Sequence, residues 1–192
     1  IAFEKNFSKY FKNLKYLNFG GGHHITKKDY DVEKLIKIIK EFKEKYDLEI
    51  YLEPGEAVGW ETGYLVSSVL DVFKNGMNVA ILDTSAEAHM PDTLAMPYRA
   101  DVRGSGEAGE KKHTYRLGGN TCLAGDIMGD YSFDEPLEVG SKIIFEDQIH
   151  YTFVKNTTFN GIKLPSLAIL RKNGELDIVK EFGYENYRNR LS

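Results

Sequence analysis

Three short stretches of this 192-residue chain hold residue types that could do chemistry. The first is NFGGGHH at 18–24, where Gly20, Gly21 and Gly22 follow a short apolar run. A tight turn needs one or two glycines. Three in succession let a bulky group approach the backbone, and a phosphate held by N–H groups is the usual candidate; the plainer alternative is an ordinary glycine-rich loop. The second is LEPGE at 52–56. From its place before Pro54-Gly55, the Glu53 carboxylate can hold a cation or a protonated ring nitrogen. With Glu56 it makes a negative pocket suited to a cationic ligand, unless both are solvated turn residues. The third is RLGGNTCLAGD at 116–126, which sets the sole cysteine, Cys122, among small residues. A thiol in such a loop is accessible and can act as acid or nucleophile, or it can be structural.

Other candidates are thinner. AEAHMPDTLAMPYR at 86–99 puts His89 and Asp92 in what reads as a long loop over 86–110, where binding groups and solvated side chains are both common. The histidines at 23, 24, 89, 113 and 150 do not show zinc-site spacing.

These residues need elements to position them. Apolar residues recur at helical spacing over 3–14, and a strand at 15–20 runs into the glycines. DVEKLIKIIKEFKEKY at 31–46 is the clearest helix, with Val32, Leu35, Ile36, Ile39, Phe42 and Tyr46 on one face and Asp29 or Asp31 as cap. A second strand, 48–56, ends at Pro54-Gly55. Strand, helix and strand in succession are the repeat of a parallel α/β fold, which places its chemistry at the C-terminal strand ends. Both NFGGG and LEPGE lie there.

Beyond residue 60 the pattern changes to strands: 64–73, 77–83, 113–117, 142–145, 150–154, 166–170 and 176–179. Asn75-Gly76 and Asn173-Gly174 mark hairpins. No helix is expected from 62 to 180. The expected fold is therefore α/β plus all-β: residues 1–60 as the C-terminal part of a (β/α)₈ barrel, 61–180 as a β-sandwich or β-barrel-like domain, and 181–192 as a segment returning to the barrel. Two units cannot close a barrel of eight, and the chain begins at Ile1 inside an uncapped helix, so the expectation is the C-terminal half of a longer protein.

Composition narrows the function. The net charge is −4 with no basic block, which argues against nucleic acid. No apolar run is long enough to cross a membrane. One cysteine fits a reducing, cytoplasmic setting.

Taken together and in order, the stretches resemble the pyridoxal-phosphate-dependent decarboxylases of the alanine-racemase-like fold, which join a (β/α)₈ barrel to a C-terminal β domain. NFGGGHH resembles their phosphate loop. LEPGE resembles the motif whose Glu pairs with the pyridine nitrogen, and GGNTCLAGD the cysteine loop that crosses the dimer interface. EDQIHYTFVKNTTFNGI resembles the motif whose Tyr, here Tyr151, touches the cofactor phosphate. Within the family, GGGHHITKKDYDVE, LDTSAEAHMPDTLAMPYR and the ending FGYENYRNRLS are similar to the carboxynorspermidine (carboxyspermidine) decarboxylase branch. Glu56 stands where the ornithine and diaminopimelate enzymes have Arg, and Leu123 where they have an acid.

The resemblance implies pyridoxal 5'-phosphate as cofactor, held by Gly20, Gly21, Gly22, Gly55, Glu56 and Tyr151, with Glu53 on the ring nitrogen. It implies Cys122 as the acid serving the partner's site in a homodimer, and Glu56 and Asp92 as anchors for a small polycationic substrate. The Schiff-base lysine belongs to the first barrel strand; Lys5, Lys9, Lys12 and Lys15 are misplaced for it. The fragment alone is therefore expected to be inactive and to need the N-terminal half. The alternatives are another basic amino-acid decarboxylase of diaminopimelate, ornithine or arginine type, or a non-catalytic partner-binding relative.

Overall fold

The computed structural model describes residues 2–191, and the chain divides into two compact units, Ile1–Trp60 and Glu61–Ser192. In the first unit, α1 (Ala2–Phe11) leads to β1 (Tyr16–Asn18), α2 (Val32–Tyr46), β2 (Glu49–Tyr51) and the short α3 (Gly55–Gly59). Helix α2 starts where its cap requires. The Asp31 side chain accepts the Lys34 N–H at 2.9 Å, satisfying a donor that no helical carbonyl can reach. It stops at Asp47, whose left-handed backbone (φ 53°) turns the chain into β2.

The two strands pair in parallel, Leu17 opposite Ile50, as a strand–helix–strand crossover demands. Phe11, Leu17 and Leu48 are buried beneath them, with Phe42 and Tyr46 of α2 packed alongside. The ring of Tyr46 meets that of Phe11 edge-on at 4.9 Å. The pairing runs on past the formal strand ends: Phe19 N–H donates to Tyr51 at 2.9 Å and Glu53 N–H to Gly20 at 2.9 Å.

In the second unit β3 (Leu65–Asn75) and β4 (Met77–Leu82) form the expected hairpin, with Gly76 at φ 71°. Then come α4 (Ala86–His89), α5 (Pro91–Ala95), β5 (His113–Gly118), β6 (Ile127–Phe133), β7 (Lys142–Phe145) and α6 (Tyr151–Val154). A 3-10 turn (Phe159–Gly161), β8 (Leu167–Leu170), β9 (Leu176–Lys180) and α7 (Tyr184–Leu191) complete the unit. Strands order as β6-β5-β4-β3-β7 in one mixed sheet, with β8-β9 a separate hairpin. Val102 bridges Phe145 on one edge strand and Gly106 bridges Ser132 on the other, so one segment links both edges and curls the sheet toward closure. Leu82, Met90, Leu117, Tyr131 and Phe145 fill the interior. Each fully buried side chain of this kind contributes about 1.5–3 kcal/mol relative to exposure.

Four expectations need correction. Residues 150–154 are not a strand: Tyr151–Val154 is a helical turn, despite its β-branched and aromatic composition, and buried Thr152 is tied to Asp92. The span 62–180 is not free of helix, and 86–110 is not all loop. Ser85 caps α4 by accepting the Ala88 N–H, and Pro91 opens α5 at a position where its missing N–H costs nothing. Strand β6 was absent from the expected set; its pattern is interrupted by Gly129 (φ 141°) and by Asp130, whose carboxylate takes a bidentate pair from Arg116. That pair holds Asp130 below its ordinary titration range. Among the described residues no helix is long and apolar enough to cross a membrane.

Candidate active site

In the first unit the glycine run lies at the C-terminal end of β1 and Glu53 just past β2, and parallel pairing brings the two ends side by side. Asn18 joins them. Its amide nitrogen donates to the Glu53 carboxylate at 2.5 Å, and its amide oxygen accepts the Gly20 N–H at 2.8 Å. Gly20 and Gly22 have φ of +75° and +76°, the left-handed region that side chains disfavour. A Cβ on either would meet nothing within 4 Å, so the loop borders open space. A Cβ on Gly21 would sit 3.1 Å from the Glu53 carbonyl oxygen, which makes the middle glycine a packing requirement of the second motif.

Around this turn stand His23 and His24. His23 Nδ1 meets the Tyr30 hydroxyl at 3.1 Å, and His24 Nε2 lies 3.8 Å from Glu56. The remaining nitrogens, His23 Nε2 and His24 Nδ1, are buried without a hydrogen-bond partner. Gly55 N–H is taken up by the Glu53 carbonyl at 2.8 Å. With the Gly20 and Gly55 N–H groups already engaged, the N–H groups of Gly21 and Gly22, an exposed carboxylate fixed by an amide, and orphaned imidazole nitrogens form a donor and acceptor set that fits a phosphate-bearing, protonated ring.

In the second unit Asp92 ties down helix α6, which carries Tyr151. Asp92, 7% exposed, accepts Tyr98 OH at 2.6 Å and Thr152 Oγ1 at 3.1 Å. Burial and the Asp92 carboxylate push the Tyr98 phenol up to about 12. Thr152 follows Tyr151, which is exposed on α6 with Lys155 Nζ 4.8 Å from its ring centre. Helix α4 accepts the Thr157 N–H through Ala88 O at 2.8 Å. His89 is buried: Ser85 N–H donates to Nδ1, so the proton sits on Nε2, which donates to Lys163 O at 3.1 Å. Desolvation lowers its pKa and keeps it neutral, which suits a structural role.

Cys122 is exposed in the β5–β6 turn, and its N–H donates to Asn160 Oδ1 at 3.1 Å. Asn160 and Asp126 escaped the sequence reading. The FNG turn and the acid closing GGNTCLAGD were the available signals, but their partners are remote in the chain.

The model of the pyridoxal-dependent decarboxylase C-terminal sheet domain matches residues 30–148. A Campylobacter jejuni carboxynorspermidine/carboxyspermidine decarboxylase is 54% identical over 97% of this chain and 52% of its own length. A Synechocystis carboxyaminopropylagmatine decarboxylase is 49% identical over 98% of this chain and 49% of its own. The crystal structure of carboxynorspermidine decarboxylase complexed with norspermidine from C. jejuni superposes with a TM-score of 0.87 at 55% identity, over 98% of this chain and 55% of that one. The chain spans about half the length of the curated relatives it matches. With the sheet-domain model matching more than half of its residues, this chain belongs to the pyridoxal-dependent decarboxylase family.

Proposed function

We propose that the whole protein is a pyridoxal-phosphate-dependent decarboxylase converting carboxynorspermidine or carboxyspermidine to norspermidine or spermidine in polyamine biosynthesis. The observation that carries this reading is the Asn18–Glu53 contact beside the glycine turn, at the ends of two parallel strands. The substrate class rests on the 54% identity to the C. jejuni enzyme. Residues 1–60 are read as the C-terminal part of a (β/α)₈ barrel, 61–180 as the β domain and 181–192 as a return to the barrel. The lysine that carries the cofactor comes from the N-terminal half, and the active unit is a cytoplasmic homodimer with shared sites.

When bound, pyridoxal phosphate supplies an electron sink for the pair left as CO₂ departs. Glu53 holds the proton on the ring nitrogen, and Asn18 keeps that carboxylate oriented. The glycine turn and the Tyr151 hydroxyl hold the phosphate. Glu56 offers negative charge to the substrate's distal amines. Asp92, whose carboxylate is held by Tyr98 and Thr152, is the second anchor for those amines. Cys122 delivers the proton to the α-carbon of the partner's substrate.

A second substrate reading is favoured by the Synechocystis relative: carboxyaminopropylagmatine, whose distal end is a guanidinium. The test is a visible spectrum of the full-length enzyme followed by CO₂ release from the two carboxylated triamines, carboxyaminopropylagmatine and diaminopimelate. The triamines are expected to exceed diaminopimelate roughly 100-fold in kcat/KM, since diaminopimelate would set a distal carboxylate against Glu56 where the triamines offer cationic amines. A protein without a cofactor band would sink the reading and favour a non-catalytic relative.

A further inference from the structure

Cys122 sits in a turn rich in glycine and alanine, which has little stiffness of its own. Two side chains hold it from elsewhere in the second unit. The first is Asp126, 5% exposed. One of its oxygens accepts Ser85 Oγ at 3.0 Å and Ala86 N at 2.7 Å; the other accepts Thr121 N at 3.1 Å and Thr121 Oγ1 at 2.6 Å. A buried carboxylate with this many donors is fixed, because losing any of them leaves charge uncompensated away from water. The chain passes so close that a Cβ on Gly119 would lie 2.2 Å from Asp126 Oδ2.

The second is Asn160, which accepts the Cys122 N–H itself at 3.1 Å. Asn160 has φ 57° and ψ 17°, a left-handed conformation uncommon for a residue with a side chain. Its segment is anchored by Thr157 N–H on Ala88 O, on the same helix whose start Asp126 engages. Both holds on the turn therefore refer back to α4.

We propose that Asp126 and Asn160 form a two-point clamp that positions Cys122, making both positioning residues for proton delivery. The proposal rests on the role given to Cys122 above. Asp126 acts through Thr121, one residue before the thiol, and Asn160 acts on the thiol residue's own backbone. With both in place the Cys122 backbone has one location relative to α4. With either lost, the glycine-rich turn samples several.

The test uses the full-length enzyme. Asn160→Gly keeps the left-handed backbone and removes the acceptor; Asn160→Asp keeps an acceptor. Two quantities are read: the rate of Cys122 alkylation by iodoacetamide, followed by peptide mass, and the separate kcat and KM. In Asn160→Gly, alkylation is expected to rise roughly threefold as the turn loosens. Its kcat should fall roughly tenfold with KM nearly unchanged, because only the placement of the acid is disturbed. Asn160→Asp should restore both, which a general loss of packing would not allow. Unchanged alkylation and kcat in Asn160→Gly, or no rescue by Asn160→Asp, would overturn the clamp. Cys122→Ala with undiminished kcat would remove the acid role instead, and the alkylation rates would then decide the clamp by themselves.

Discussion

The Asn18 amide donates to the Glu53 carboxylate at 2.5 Å across 35 residues of sequence, while its oxygen accepts Gly20 N–H. One side chain thus couples the glycine turn to the carboxylate proposed to hold the ring nitrogen. Asn18→Asp keeps the acceptor for Gly20 but sets a second carboxylate against Glu53. Its affinity for pyridoxal phosphate should drop roughly tenfold, the equivalent of one charged hydrogen bond lost. Absorbance titration of the full-length protein measures it, and an unchanged affinity would break the coupling.

Gly20 and Gly21 should respond differently to alanine. At Gly20 the penalty is the left-handed backbone, about 1 kcal/mol of stability, with space for the methyl group. At Gly21 the methyl group presses on the Glu53 carbonyl, so the loss should appear mainly in cofactor affinity. Thermal unfolding and cofactor titration of the two variants separate these effects.

Gly119→Ala should be among the more damaging single changes in the second unit. The methyl group would overlap the buried Asp126 carboxylate, and overpacking of this kind costs about 1–3 kcal/mol. Urea unfolding gives the number; a neutral result would mean that Asp126 can move.

Thr152→Val removes a donor to buried Asp92 at nearly constant volume. Leaving that carboxylate short of a partner should destabilise by about 1–3 kcal/mol. Since Thr152 is next to Tyr151, the variant should also weaken cofactor retention, whereas an isosteric change far from α6 should not.

Alkaline stability carries a definite sign. Tyr98 and Tyr131 titrate near 10.0 when exposed and are pushed up to about 12 in the fold, mainly by burial. Between those two values the folded state keeps protons that the unfolded state has lost. The stabilisation is therefore complete below pH 10, where both states keep the proton, and is lost as pH rises toward 12. Circular dichroism melts across that range should show a falling Tm, and replacing Tyr131 by Phe should flatten the fall.

Helix α2 was readable because its evidence is local: apolar residues repeat at 3.6, and Asp31 caps the first turn. The β3–β4 hairpin was readable for the same reason, Asn75-Gly76 between β-rich runs. Strand β6 was not. Gly129 and Asp130 break its pattern, and its place in the sheet is set by cross-strand pairing with β5, including Arg116 to Asp130. The turn Tyr151–Val154 was misread because β-branched and aromatic residues favour strand where packing does not decide. Here Thr152 is held on Asp92, 60 residues away in the chain.

The candidate site divides along the same line. Gly20–Gly22, Glu53 and Cys122 stood out in the sequence because residue type and neighbours announce chemistry within a few positions, whereas Tyr151 emerged only from the family resemblance. Asn18, Asp126 and Asn160 did not, since an Asn or Asp in a loop is ordinary until its partner is known. By itself the sequence determined the reactive residue types, the strand–helix–strand order and the family. Tertiary structure alone decided which polar side chains hold those residues in place, because such contacts depend on parallel strand pairing and long-range hydrogen bonds that leave no local pattern.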